Sequence, residues 1–525
     1  MSQRLTTLLT ALSLLSALVS SPARADEVDT LVAALHRNLS AWDTAAVSDQ
    51  IDALRARHPE HQGICVVEAR LRLMQRDFEG AQRVLGARCE GASDRGLRSL
   101  CDVIEGSRRV TRDFKTLTTE PGHFVLHYLP GPDEVLVPYA AETLEAAYER
   151  LGGHFRYFPA GPVHVDFLPQ IEDLAAMTPL SREEIETSGT IAMCKYDRMM
   201  VVSPRDLVYG YSWRDTLAHE YIHFLLTRRS GNQVPLWLHE GLAKYHEVLW
   251  REGAEPSLAP IAEHVLADAI RRKRLISLDK LHPSIAKLPS QEAVALAFAE
   301  VHTVVRWMRS QDDAGRPLDE LLDRLRDGEK LDEALEGSFG RSFRQVRRAW
   351  RRWLGRQDFD RIPRAVRPRK LFRSSDRKED ELASIEEEEG RDFTYLGDLL
   401  RARGKPEAAL REFDKAVAVV GSTSPVVQSK VAAALLDLGR HEAVLDAVES
   451  VLLSYPSHVL LHLYEGEALL RLGRIQEAAA ALERALGLNP FDSKVHVLLS
   501  ECYDKLGRER DAAFERRQHA LVAAE

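Results

Sequence analysis

The sequence predicts a mainly α chain with a small mixed α+β domain near its middle and an α-solenoid at its C-terminus. Three observations carry this. Between residues 391 and 525 the chain is self-similar with a period near 34, Gly404, Gly439, Gly473 and Gly507 standing 35, 34 and 34 residues apart, the mark of stacked helical repeats. Between 116 and 355, short runs alternate apolar and polar residues as strands do, among longer runs of helical spacing. Within that region His219-Glu220-Tyr221-Ile222-His223 lies mid-helix and puts two imidazoles one turn apart on one face.

In chain order, residues 1–25 read as an export signal. One basic residue, Arg4, precedes an apolar run from Leu5 to Ser20, and Ala23-Arg24-Ala25 offers a small-x-small cleavage site before Asp26. An uncleaved anchor is the weaker alternative, because the run falls short of the roughly 20 residues a bilayer span needs. The expected location is periplasmic or secreted, with no integral membrane segment after cleavage. Residues 26–115 form an N-terminal helical region in which the run from Glu68 to Leu85, preceded by Pro59, reads as one or two degenerate repeat hairpins. Of the five cysteines, Cys89 and Cys101 would close a short loop in an oxidising compartment, and free buried thiols are the alternative.

Residues 116–355 hold the mixed domain. His123 to Tyr128 reads as its opening strand, 138–151 as a helix with proline in its first turn, and Val163 to Phe167 as a second strand. Gly189 to Cys194 and Arg198 to Val202 read as a hairpin at the sheet edge. The helix bearing the two histidines stops between Thr227 and Gly231, and a second helical pattern from Pro235 brings Glu240 back toward it. Residues 356–390 are a charged linker, basic up to Lys378 and acidic from Glu379 to Glu389, with Pro363 and Pro368 as helix breakers; it reads as a solvated hinge. The opposite blocks neutralise each other, and 71 basic against 80 acidic residues leave a net charge of −9, so no nucleic-acid partner is expected.

Neutral imidazoles at i and i+4 are good zinc ligands, and a catalytic zinc keeps one position open for a water. Glu220 would take that water's proton. Glu240 is the natural third ligand. His239, its neighbour, is turned about 100° away on the helix and reads as a partly exposed residue. Tyr209, Tyr211 and Tyr245 are each able to donate to an oxyanion, and the sequence does not choose among them.

The pair HEYIH and PLWLHEGLAKYHE resembles the gluzincin-type zinc metallopeptidases, in particular bacterial peptidase MA-like domains. The resemblance spans about residues 116–355, with the segment after Ala297 as the domain's helical tail. It implies that His219, His223 and Glu240 bind Zn2+ and that Glu220 is the general base. It also implies an edge strand that pairs with extended peptide. Two departures stand out: no G-x-M-E-N motif marks the edge strand, and Lys244 occupies a place where some gluzincins have an Asp that orients a ligand histidine. Glu247 is the candidate substitute. Gly466, Leu469, Gly473, Ala478, Ala485 and Pro490 fall on tetratricopeptide (TPR) positions, as do Ala409, Phe413 and Ala416, so the C-terminal array resembles TPR repeats. The expected protein is a zinc-dependent peptide hydrolase of the cell envelope acting on a peptide or protein substrate, with a protein partner on the TPR array. A catalytically inactive scaffold of the same architecture is the alternative.

Overall fold

A computed structural model describes residues 22–282, 284–312, 315–366, 369–373 and 381–523. The apolar run of the export signal and Pro368 lie outside the described residues. The chain forms two compact units, Met1–Cys101 and Asp102–Glu525.

The first unit is helical: Pro22–Ser40, Thr44–Arg57, Gln62–Met74 and Phe78–Leu85. Leu35, Leu39, Val47, Ile51, Ile64, Leu73 and Leu85 recur at helical spacing and form its core. Asp43 and Asp77 cap the second and fourth helices by accepting from Ala46 N at 3.1 Å and Gly80 N at 2.8 Å. The first helix runs through Ala23-Arg24-Ala25, the expected cleavage site. Cys89 and Cys101 are joined as a disulfide, while Cys65, Cys194 and Cys502 are free thiols.

The second unit contains a five-stranded sheet of order β1-β2-β3-β5-β4. Its strands are β1 Lys115–Thr118, β2 Phe124–Tyr128, β3 Val163–Leu168, β4 Ala192–Lys195 and β5 Arg198–Val202. β2, β3 and β5 run parallel, and β1 and β4 close the two edges antiparallel. The parallel centre is buried on both faces, which is why Met199 to Val202 is a continuous apolar run rather than an alternating one. The sheet opens one strand earlier than the sequence suggests: Lys115-Thr116-Leu117-Thr118 is exposed along its whole length and has no apolar face to announce it. β4 and β5 form the expected edge hairpin. Tyr196 and Asp197 at φ of 56° and 60° make its two-residue turn in the left-handed region such hairpins require.

After the sheet come the motif helix Trp213–Ser230, the carboxylate helix Leu236–His246, and the wall helix Gln291–Arg309. Eight further helices from Glu388–Ala402 to Glu509–Val522 stack as four antiparallel pairs. Gly404, Gly439, Gly473 and Gly507 make the turn inside each pair, at φ of +69°, +67°, +78° and +73°. Phe413, Ala432, Leu461, Ala478, Leu482 and Ala485 are fully buried between helices, as repeat stacking demands.

The charged linker is not a solvated hinge over its described residues. Leu371 O accepts from Val208 N at 2.9 Å, Arg373 N donates to Asp206 O at 2.8 Å, and Phe372 bridges Leu207. Upstream, Val366 N donates to the Tyr455 hydroxyl at 2.7 Å and Thr423 Oγ1 to Pro363 O at 3.2 Å. The backbone groups that a hinge would leave to water are spent on the flanking domains.

Candidate metal centre

The motif helix is buried along most of its length, and Leu217, Ala218, Ile222, Leu225 and Leu226 have no exposed surface. Gly231 in the left-handed region ends it where expected, its N–H bonded to Thr227 O. The carboxylate helix follows after five residues. Trp237, Leu238 and Leu242 are its buried anchors, and Trp237 stacks on Phe343 at 5.5 Å. Gly241 is required here: a Cβ would stand 2.8 Å from Val301 O, because the wall helix passes directly behind Glu240. Arg228, near the end of the motif helix, donates through Nε to Asp197 Oδ1 at 3.1 Å and so ties the turn of the edge hairpin to the helix that carries the histidines.

These elements bring His219, His223 and Glu240 together. Their donor atoms all lie within 4.8 Å of one another. His219 Nε2 and His223 Nε2 are 3.1 Å apart, and Glu240 Oε2 stands 3.6 Å from the first and 3.4 Å from the second. Each imidazole spends its other nitrogen outward. His219 Nδ1 donates to Glu247 Oε2 at 2.9 Å, and His223 Nδ1 shares a hydrogen bond of 2.5 Å with His239 Nδ1. With each Nδ1 turned outward, the two Nε2 atoms are left to present lone pairs toward each other and a carboxylate. Three electron-pair donors facing one point repel unless a cation or a shared proton sits among them. Ligands about 2.0–2.2 Å from a tetrahedral zinc are ~3.3–3.5 Å apart, close to the three distances observed. The donor set fits zinc.

Glu220 is buried beside this triad. One carboxylate oxygen accepts the Cys194 N–H of β4, and Oε2 is buried without a hydrogen-bond partner. Burial raises its pKa, against the lowering pull of His223 and His219. Burial alone would depress His219, but hydrogen bonds with Glu240 and Glu247 carry it up to about 9. Glu240 is held well below the ordinary carboxylate range, the cost of its burial outweighed by His223 and His219. Glu247 is lowered in the same sense by Lys244, whose Nζ donates to its Oε1, and by His219.

Glu247 therefore occupies the orienting position that Lys244 leaves open, and Lys244 braces it. His239 is a partly exposed helix residue, as expected, and it also stacks on His223 at 4.7 Å, outside the donor triad and behind it. The 100° turn that removes it from the triad delivers it to the far nitrogen of His223. Burial lowers its pKa to about 3, so its ring is neutral. Tyr211 donates to Val202 O, Tyr209 packs on His458 at 4.7 Å, and Tyr245 packs on His302 at 5.1 Å.

A two-histidine, one-carboxylate cluster on consecutive helices beside an edge hairpin defines a metallopeptidase-type domain, and the comparisons with known proteins agree. Residues 181–356 match the family described as the Peptidase MA superfamily, and residues 432–493 and 463–517 match the Tetratricopeptide repeat. The chain thus carries a Peptidase MA superfamily domain fused to a TPR array. No curated protein matches the chain. Solved structures similar to it include MamA from Desulfovibrio magneticus RS-1, at 21% identity over 26% of this chain and 78% of that chain, with a TM-score of 0.24. Another structure, described as that of MamA, stands at 16% identity over 28% and 85%, with the same TM-score.

Proposed function

We propose that the chain is a zinc-dependent peptide hydrolase of the cell envelope whose TPR array engages a protein partner. The observation that supports the chemistry is the meeting of three lone-pair donors, His219 Nε2, His223 Nε2 and Glu240 Oε2, beside a buried carboxylate oxygen with no other partner. His219, His223 and Glu240 would hold the metal. Zinc, when bound, polarises a carbonyl and makes a water acidic enough to attack near neutral pH.

The remaining work falls to the chain's own side chains. Glu220 Oε2 has no hydrogen bond to give up, so it is free to take the proton of the attacking water and to return it to the leaving amine. Burial favours its protonated form, which suits the second half of that cycle. The Cys194 N–H holds the other oxygen and so fixes the carboxylate beside the edge strand. Glu247 keeps Nδ1 of His219 protonated, and His239 holds Nδ1 of His223, which fixes both rings with Nε2 inward. β4 is paired on one side only, leaving an edge on which an extended peptide would add as a further strand. The envelope assignment rests on the export signal read from residues 1–25.

The test compares Glu220→Gln with ligand replacements. Glu220→Gln is expected to keep zinc at wild-type stoichiometry and to lose at least about 10²–10⁴-fold in turnover of an unstructured protein substrate. His219→Ala, His223→Ala or Glu240→Ala is expected to lose zinc and activity together. Activity that survives Glu220→Gln would refute the mechanism. Zinc-loaded wild type that cleaves no peptide would establish the scaffold alternative.

A further inference from the structure

Within the charged linker the chain returns to the catalytic domain, and it brings a cation. Residues 369–373 lie beyond the matched 181–356 segment. Gln291 grips Lys370 on both sides of its peptide, Oε1 accepting from Lys370 N at 2.5 Å and Nε2 donating to Lys370 O at 3.1 Å. Gln291 opens the wall helix, and Phe298, two turns on and on the same face, packs edge-on against His219 with ring centroids 6.0 Å apart. The strap is thereby fastened to the helix that walls the triad.

Lys370 Nζ donates to Gly189 O at 3.0 Å, three residues before β4 begins. Its side chain is partly buried, and burial is the first cause that lowers its pKa, to about 8, with Lys244, Glu247 and Glu220 as the charges that reach it. Among the described residues no carboxylate stands within ion-pair distance of it. The other cations here are committed, Lys244 to Glu247 and Arg228 to Asp197. An ammonium has three N–H donors, and this one spends one of them on Gly189. A partly desolvated cation lacking an anionic partner is destabilising unless an incoming group supplies the charge.

We infer that Lys370 recognises a carboxylate of the bound peptide at the Gly189 end of the edge strand. The inference rests on the peptide-hydrolase reading for its class of substrate, yet its test needs no turnover. Such a carboxylate belongs either to a peptide's C-terminus or to an acidic side chain. The probes are three fluorescein-labelled alanine pentapeptides: one with a free C-terminal carboxylate, one amidated, and one amidated with a single glutamate. Each is titrated into full-length, zinc-loaded Glu220→Gln protein, which holds peptide without cleaving it. One charged peptide is expected to bind about 10- to 100-fold more tightly than the neutral amide, the range for a hydrogen bond to a charged group. Which of the two does so names the source of the carboxylate. Lys370→Met in the same background is expected to abolish the preference, and Lys370→Arg to retain most of it. Equal affinity for all three peptides overturns the inference, as does absence of binding by both charged peptides. So does a preference that survives Lys370→Met. Failure of the hydrolase reading would show separately, as peptides left intact by zinc-loaded wild type.

Discussion

Glu247 is the smallest part of the centre with a measurable job. Its carboxylate keeps the Nδ1 proton on His219 and is itself steadied by Lys244. Glu247→Gln retains the shape and an acceptor oxygen but removes the charge, so zinc affinity measured against a chelator is expected to fall about 10–100-fold. Glu300 offers a prediction of another kind. It is buried in the wall helix, its Oε1 accepts from Ile276 N at 2.7 Å, its Oε2 has no partner, and burial pushes its pKa up to about 8 from the ordinary 4.5. The folded state thus holds a proton that the unfolded state releases, and stability should fall as pH rises from about 4.5 to 8, by ~3 kcal/mol at pH 7. Glu300→Gln keeps the acceptor and carries no charge, so its unfolding midpoint should gain on wild type progressively between pH 5 and pH 8. A difference that does not vary with pH would refute this. The grouping of His219, Glu220 and His223 was readable because one helix sets them side by side, and Glu240 because a second helical pattern follows a short loop. His239 and Lys370 were not: the first depends on how two helices cross, and the second arrives from 130 positions beyond Glu240 by a chain path no spacing encodes.

Elements divide in the same way between local pattern and packing. The edge hairpin, the motif helix and the repeat turns announced themselves through two short strand-like runs either side of Lys195-Tyr196-Asp197, a terminal glycine and a period. β1 did not, since four exposed residues become a strand only by pairing with β2. The carboxylate helix shows how packing overrides propensity. By propensity alone Gly241→Ala should stabilise a helix by up to about 1 kcal/mol. Here the new Cβ would meet the Val301 carbonyl oxygen at 2.8 Å and Val305 Cγ2 at 2.9 Å, and a backbone oxygen cannot swing aside. We expect Gly241→Ala to lower the unfolding free energy by about 1–3 kcal/mol, the usual cost of overpacking, and to weaken zinc binding as Glu240 is displaced. A melting curve and a zinc titration on one variant test both outcomes.

Across the chain, the array is joined to the catalytic domain rather than tethered to it. Tyr211 N donates to Leu488 O at 3.0 Å, Trp213 Nε1 to Leu486 O at 3.5 Å, and Tyr139 OH to Glu515 Oε1 at 3.1 Å. Gly210, at φ +66°, lets this happen, for a Cβ there would stand 2.3 Å from Leu488 O. Residues 391–525 made alone should still be soluble and helical by circular dichroism, because repeats bury their faces mainly against one another. The exported protein should begin at Asp26 by intact mass if the signal is removed where its sequence indicates; a retained N-terminus would mean an anchor.

The contacts of the array with the linker and the catalytic domain fall on three successive inter-repeat junctions: Thr423 meets Pro363, Tyr455 meets Val366, and Leu488 meets Tyr211. They engage like the teeth of a rack whose pitch is the repeat itself. Solenoids ordinarily lengthen by whole repeats at little cost, but one inserted between the second and third junctions would carry Leu488 a full pitch away from the entrance of the motif helix. One appended beyond Val522 would leave all three teeth engaged. The part of the array between Thr423 and Leu488 is therefore closed to growth by duplication.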